Sequence, residues 1–321
     1  MLETLQFVRG AVSDRDLVVP VLTHFCVYGG RIQGANGRIA IDSPCPELTF
    51  EAVVPADRFL RAVDACRGEP KLKFNEGGKL TIERKPFRAF LPYQPVSLFP
   101  QSKPTAGKKV KMQQPLLKAL ARARAFMSDD AERPWASTVY FSVKDGIAYA
   151  AANTMIASVA SAPFKQDVQL PTFCIDELLR INREPDCYVN DDTSMTFFWG
   201  DHWMRTQKIV ADWPLKTAQD HLSTKAKMVA LPDNLIASVE RLIPFCNDRK
   251  FPVIYFRKGG LSTAPGEVQA EINGFDLGEG AFHSDNLLPM LKHSNKMCIG
   301  ERAAVFAGPE SFRGVMSVLK L

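Results

Sequence analysis

Apolar positions along this chain follow two rhythms, and the same order of rhythms returns three times. Period-two alternation, the mark of strands, runs through "VLTHFCVYGGRIQGANGRIAID", "STVYFSVKDGIAYAAANTMIASVASAP" and "FPVIYFRKGGLSTAPGEVQAEI". Each segment reads as three strands joined by two tight turns. Gly29-Gly30, Asp145-Gly146 and Gly259-Gly260 supply the residues that two-residue hairpin turns need. Second turns fall at Ala35-Asn36-Gly37, Ala152-Asn153-Thr154 and Ala264-Pro265-Gly266.

Helical spacing flanks every copy. "LETLQFVRGAV", "PLLKALARARAFM" and "PDNLIASVERLIPF" precede the three strand groups; "PADRFLRAVDACRG", "CIDELLRINRE" and "SDNLLPMLKHS" follow them. Three more strand-like runs close each copy, as in "KLKFNEGGKLTIERKPFRAFLP". Each unit therefore holds about two helices and six strands. Pro- and Lys-rich stretches, "SLFPQSKPTAGKKVKM" and "DWPLKTAQDHLSTKAKM", mark joints near residues 107 and 222. The expected architecture is α+β: three tandem domains of antiparallel sheets and paired helices, at 1–107, 108–222 and 223–321. The last run, "FRGVMSVLKL", is expected to be the final strand of the third domain.

Composition narrows the class without naming a partner. Hydrophobic residues make up 46% and charged residues 23% of the 321, the balance of a globular chain. No apolar run approaches the roughly 20 residues of a membrane helix. The first residues lack a basic stretch followed by an apolar core, so no secretory signal and a cytoplasmic location are expected. Seven cysteines without a CxxC pair fit reduced thiols. The formal charge of +5 permits an acidic partner, but the placement of the charge decides.

The order of the repeats resembles the bacterial DNA polymerase III β subunit, the β sliding clamp, over essentially the whole chain. "SDRDLVVPVLTHF" is similar to that family's opening loop and strand, and "VSLFP" to the phrase that closes its first domain. "WGDHWMRTQKIVADWP" is similar to the end of its second domain, and "NDRKFPVIYF" and "VMSVLKL" to early and final parts of its third. Three departures stand out. Met1-Leu2 leads straight into "ETLQF" where the family opens on a short strand; Thr154-Met155-Ile156-Ala157 replaces a Gly-His-Arg-Leu turn; and the third domain is short around "INGFDLGEG".

The resemblance implies a homodimeric ring, closed head to tail, whose helices line a hole for double-stranded DNA. Its function would be processivity for a replicative DNA polymerase, with no enzyme activity and no cofactor. A clamp loader would supply the ATP chemistry. Sequence-independent DNA contacts are made by Lys and Arg on phosphates. The candidates are Arg58 and Arg61 on one helix, Lys118, Arg122 and Arg124 on another, and Arg180 and Arg183 on a third. Arg241 and Lys292 serve the third domain, and Arg15 occupies the opening loop. Polymerase and loader would dock short linear motifs in an apolar groove. One wall would be Thr154, Met155, Ile156 and Ala157; the other Val315, Ser317, Val318, Leu319, Lys320 and Leu321. The altered turn implies an altered motif preference. An alternative is a clamp-like monomer that sequesters replisome partners without encircling DNA.

Catalytic constellations are few. His24 and Cys26 share a strand face and form a conceivable nucleophile–base dyad; Asp201 and His202 are adjacent, on opposite faces if in a strand. Trp199 and Trp203 could stack bases or pack a sheet. There is no GxSxG elbow, P-loop or HExxH.

Overall fold

The computed structural model describes the chain except for Glu76, Asp130, Ala131, Arg249, Pro265, Gly266, Asn273, Gly274, Lys320 and Leu321. The first repeat runs α1 (Leu2–Arg9), β1 (His24–Tyr28), β2 (Arg31–Ala35), β3 (Ile39–Pro44), β4 (Ala52–Pro55), α2 (Ala56–Ala65), β5 (Lys71–Asn75), β6 (Lys79–Arg84) and β7 (Phe87–Pro92). The second runs β8 (Val110–Lys111), α3 (Leu117–Ala123), β9 (Thr138–Ser142), β10 (Ile147–Ala151), β11 (Met155–Ala160), β12 (Val168–Pro171), α4 (Thr172–Ile181), β13 (Cys187–Asn190), β14 (Ser194–Trp199) and β15 (His202–Gln207). Then come α5 (Leu215–Leu222) and the third repeat. It comprises β16 (Val229–Ala230), α6 (Leu235–Leu242), β17 (Val253–Arg257), β18 (Gly260–Ser262), β19 (Gln269–Glu271), β20 (Gly280–His283), α7 (Ser284–His293), β21 (Lys296–Ile299), β22 (Ala303–Ala307) and β23 (Arg313–Ser317).

The expected α+β class and the threefold order are present. Strand pairing shows how the repeats share sheets. One eight-stranded sheet runs β4-β1-β2-β3-β15-β14-β13-β8, so the first half of repeat one continues into the second half of repeat two. Another runs β12-β9-β10-β11-β23-β22-β21-β16, joining repeats two and three in the same way. Left over are a four-stranded sheet, β19-β18-β17-β20, and a three-stranded one, β5-β6-β7. The short strands β8 and β16 pair with β13 and β21. Their counterpart in repeat one is absent among the described residues, because α1 begins at Leu2. The edge left open there is that of β5, which carries Lys71 and Lys73, residues that discourage further pairing.

Contacts divide the chain into two units, Met1–Met112 with Phe173–Lys208, and Gln113–Thr172 with Ile209–Leu321. The shared sheets account for this division, since each eight-stranded sheet lies within one unit. In the first unit Leu22, Cys26, Val53, Phe99, Phe198 and Trp203 pack one core cluster. Its α1 is tied down at the C-terminal end, where helical carbonyls lack intrahelical partners. Arg180 donates to the Gln6 and Phe7 carbonyls at 3.1 and 2.7 Å, and buried Glu177 holds the same guanidinium. A Cβ on Gly10 would meet the ends of the Glu177 and Arg180 side chains, which would have to shift to admit it.

Three local expectations are corrected. The joint near 222 contains α5, whose Ala218 and Leu222 pack with Trp213, Tyr149 and Val315 in a core cluster of the second unit. Proline and lysine punctuation concealed an amphipathic helix of about two turns. The joint near 107 is held by a buried hydrogen bond, Thr105 N to Thr196 Oγ1 at 2.8 Å, and a partly buried one, Ser102 N to Gln33 Oε1 at 2.7 Å. Of the two-residue hairpins, Gly29-Gly30 forms with φ of +51° and +70°. The others differ: residues 143–146 make a longer loop, and the third turn is Lys258-Gly259, one residue earlier. The Ala264-Pro265-Gly266 turn falls partly outside the described residues. No helix of the described residues is long and apolar enough to cross a membrane.

Candidate partner groove and cationic helix faces

The second unit carries a cleft of about 450 Å³. Its floor comes from the turn after β10 and the start of β11, with Thr154, Met155 and Ile156 lining it. Pairing of Ile156 with Val315 and of Met155 with Met316 brings β23 alongside. Val315 and Ser317 thereby form the adjoining wall. Ser317 N donates to Thr154 O at 2.8 Å, and Asn286 Nδ2 to Thr154 Oγ1 at 2.9 Å, which fixes the turn.

Of the ten groove residues expected, these five line the cleft. Ala157 is buried and does not line it. Val318 and Leu319 do not line this cleft: they lie against β20, where Leu319 N donates to Ala281 O at 2.9 Å and Val318 approaches Gly280. Lys320 and Leu321 lie outside the described residues.

The remaining walls come from residues that sequence reasoning missed. Trp213, Pro214, Thr217, Ala218 and His221 belong to the stretch taken as a joint, and Trp135 and Arg302 complete the rim. Trp213 stacks on Tyr140 at 5.7 Å and meets Trp135 edge-on at 6.2 Å. Gln219 on α5 donates to Asp145 Oδ2 at 2.7 Å, so the helix is anchored by polar as well as apolar contact. The Tyr140 hydroxyl, desolvated and donating to Asp167 at 2.6 Å, is pushed up to about 12 and stays protonated. The signal available in sequence was the pair Trp213-Pro214, which matches Phe99-Pro100 at the end of repeat one.

The ten expected DNA-contacting cations divide in two. Arg58 and Arg61 on α2, Arg183 after α4, Arg241 on α6 and Arg15 in its loop are exposed. Others already have partners. Lys118 and Arg122 converge on Glu310 at 2.7 and 2.9 Å, and Lys292 pairs with Glu240 at 2.9 Å. Those two cations hold the Glu310 carboxyl below its ordinary range, the Lys118 hydrogen bond contributing most. Arg180 is committed to the end of α1, and Arg124 sits half-buried in a 3₁₀ turn.

Among the described residues neither conceivable catalytic pair is joined by a hydrogen bond. His24 Nδ1 lies 3.0 Å from Thr23 Oγ1, and burial pushes the Cys26 thiol up to about 11. Burial also lowers His202, with Arg183 and Arg31 adding to the effect, and its Nδ1 lies 2.6 Å from Ser43 Oγ. No group of three or more His, Cys, Asp or Glu among the described residues is placed to hold a metal ion. Trp199 and Trp203 are buried; Trp199 packs edge-on to Phe7 at 5.7 Å, so sheet packing replaces the base-stacking alternative.

No protein-family model matches the chain, and no curated protein matches its sequence. Solved structures do match. A DNA polymerase III β chain from Streptococcus pneumoniae superposes with a TM-score of 0.81 at 16% identity, covering 100% of this chain and 97% of that one. A putative DNA polymerase III β subunit from Eubacterium rectale gives 0.83 at 12% identity, with the same coverage. The Helicobacter pylori β clamp bound to a DNA ligase peptide gives 0.77 at 14%, again covering 100% and 97%. The chain thus has the β sliding-clamp fold along its whole length.

Proposed function

We propose that this chain is a DNA sliding clamp: two copies close head to tail around duplex DNA and dock replisome partners through short linear segments. One observation carries the reading. Two sheet junctions within the chain have the same register, Ile39 to Asp42 of β3 against Thr206 to Trp203 of β15, and Met155 to Ser158 of β11 against Met316 to Arg313 of β23. A third copy of the first half, ending in β19, and of the second half, ending in β7, are left with open edges. The turn bonds Asn36 N to Ile39 O and Thr263 N to Val268 O make Val268 the counterpart of Ile39. The hairpin pairs Trp199–His202 and Arg84–Phe87 make Leu91 the counterpart of Thr206.

Placing β7 of one copy on β19 of another in that register sets Leu91 opposite Val268, Phe90 opposite Gln269, Ala89 opposite Ala270 and Arg88 opposite Glu271. Phe90 and Val268 are 53% and 41% exposed in the single chain, and an Arg–Glu pair falls at the far end. Two such junctions close a two-fold assembly and remove the open edges. In the three-stranded sheet β5 lies at the edge opposite β7, so closure through β7 does not involve it. This favours the ring over the monomeric alternative.

Within this reading the domains are 1–107, 108–222 and 223–321, the exposed arginines face phosphates, and the chain performs no chemistry of its own in the cytoplasm. A loader uses the ATP. The β11–β23 cleft receives apolar segments of polymerase and loader; the ligase peptide on the Helicobacter pylori clamp supports peptide docking on this fold. Sedimentation tests the junction. The native chain should have twice the 35.7 kDa mass, Arg88→Glu should fall to one mass, and Arg88→Glu with Glu271→Arg should recover the dimer. A native mass of one chain would refute the ring.

A further inference from the structure

The first unit contains a second cleft, of about 340 Å³, built on the same framework as the partner groove. The correspondence is positional. Gln207 N donates to Arg38 O at 2.9 Å where Ser317 N donates to Thr154 O at 2.8 Å. Arg205 pairs with Ala40 where Val315 pairs with Ile156. Ile39 stands for Met155, and Pro100 for Pro214. Two positions have changed character: Thr154 becomes Arg38, and Val315 becomes Arg205.

We infer that this cleft is a docking site for a short peptide that combines apolar anchors with carboxylates. Leu22, Ala35, Ile39 and Pro100 give it an apolar lining that a bare phosphate backbone would not desolvate favourably. Neither arginine has a carboxylate partner among the described residues. The Arg38 guanidinium stands over the Phe173 ring at 5.7 Å, and Arg205 donates to the Lys103 carbonyl at 3.3 Å. The nearby Asp16 carboxylate is engaged by the backbone N–H groups of Val18 and Val19. That cap fixes a loop on which Leu17 and Val18 are 77% and 90% exposed, beside Val19, which lines the cleft. Apolar floor, apolar lip and two arginines without a carboxylate partner among the described residues together match an acidic, leucine-rich segment; the partner groove has Thr154 and Val315 at the two matching positions, with Arg302 as the cation on its rim. The inference does not require the ring to close.

Methyl NMR on the full chain tests it, with Ac-Asp-Leu-Leu-Asp-NH2 as probe and Ac-Lys-Leu-Leu-Lys-NH2 as its charge-reversed control. The acidic peptide should shift the Leu22 and Ile39 methyls saturably with Kd below about 1 mM, and the basic one should not. Arg38→Glu should weaken binding about tenfold or more, and Arg205→Gln should weaken it in the same direction. Ile156→Glu in the other groove should leave the response intact. Equal shifts with both peptides, no saturable shift, or unchanged affinity in Arg38→Glu would overturn the inference. So would perturbation of the same methyls by a DNA duplex in place of the acidic peptide. Arg38 is exposed, and an unchanged melting temperature, with Arg38→Gln as second variant, separates lost binding from lost structure.

Discussion

Glu310 bridges Lys118 and Arg122, two of the cations expected to meet phosphate. It sits at φ of +55° in the turn before β23. If α3 faces DNA as proposed, the duplex competes with this carboxylate for both. Glu310→Gln should therefore raise affinity for a DNA duplex by about two- to tenfold at low salt and steepen the salt dependence. Filter binding across a salt series checks this; unchanged affinity would mean that α3 does not face the phosphates. A second residue-scale expectation concerns pH. Burial lifts the Cys26 thiol from 9.0 to about 11, so the folded chain retains a proton that the unfolded chain releases. The associated stability is present below pH 9 and is lost as pH rises toward 11. Melting temperature should fall over that window, less steeply in Cys26→Ala. Residue roles were the least legible part of the sequence. Helical spacing located Arg180, but only the packed structure reveals that α1's free carbonyls engage it.

At the scale of elements, periodicity located the helix pairs and nearly all strands, because alternation and 3.6-spacing follow directly from which face is buried. It failed where punctuation and structure coincide. Proline before α5 reads as a break, yet Pro214 opens the helix and Trp213 packs beneath it. One wall of the groove was thus invisible, while "TMIA" and "VMS" were legible as strand ends. Of the tail, Leu319 pairs through its backbone with Ala281, and Val318 and Leu319 do not line the described cleft. The groove's apolar floor should be essential to docking. Ile156→Glu, at a half-buried position opposite Val315, is expected to weaken binding of the neutral peptide Ac-Ser-Leu-Leu-Phe-NH2 about tenfold. Fluorescence polarisation would show it, and equal affinity would place the docking site elsewhere.

For the whole molecule, the threefold repeat was the strongest signal in the sequence, and it carried the fold despite identities of 12–16% to the solved clamps described above. Sheet sharing was not legible, since pairing between distant strands leaves no local pattern; it is what reduces three repeats to two contact units. The same sharing leaves one half-sheet at each end of the repeat series awaiting a partner. The proposed encirclement differs in kind from electrostatic affinity. The most direct measurement is retention of loaded protein on a nicked circular duplex before and after linearisation, in high salt. A ring stays on the circle and runs off the free ends after cutting. Equal retention on both forms, or equal loss from both, would contradict topological binding and leave only ordinary attraction to phosphate.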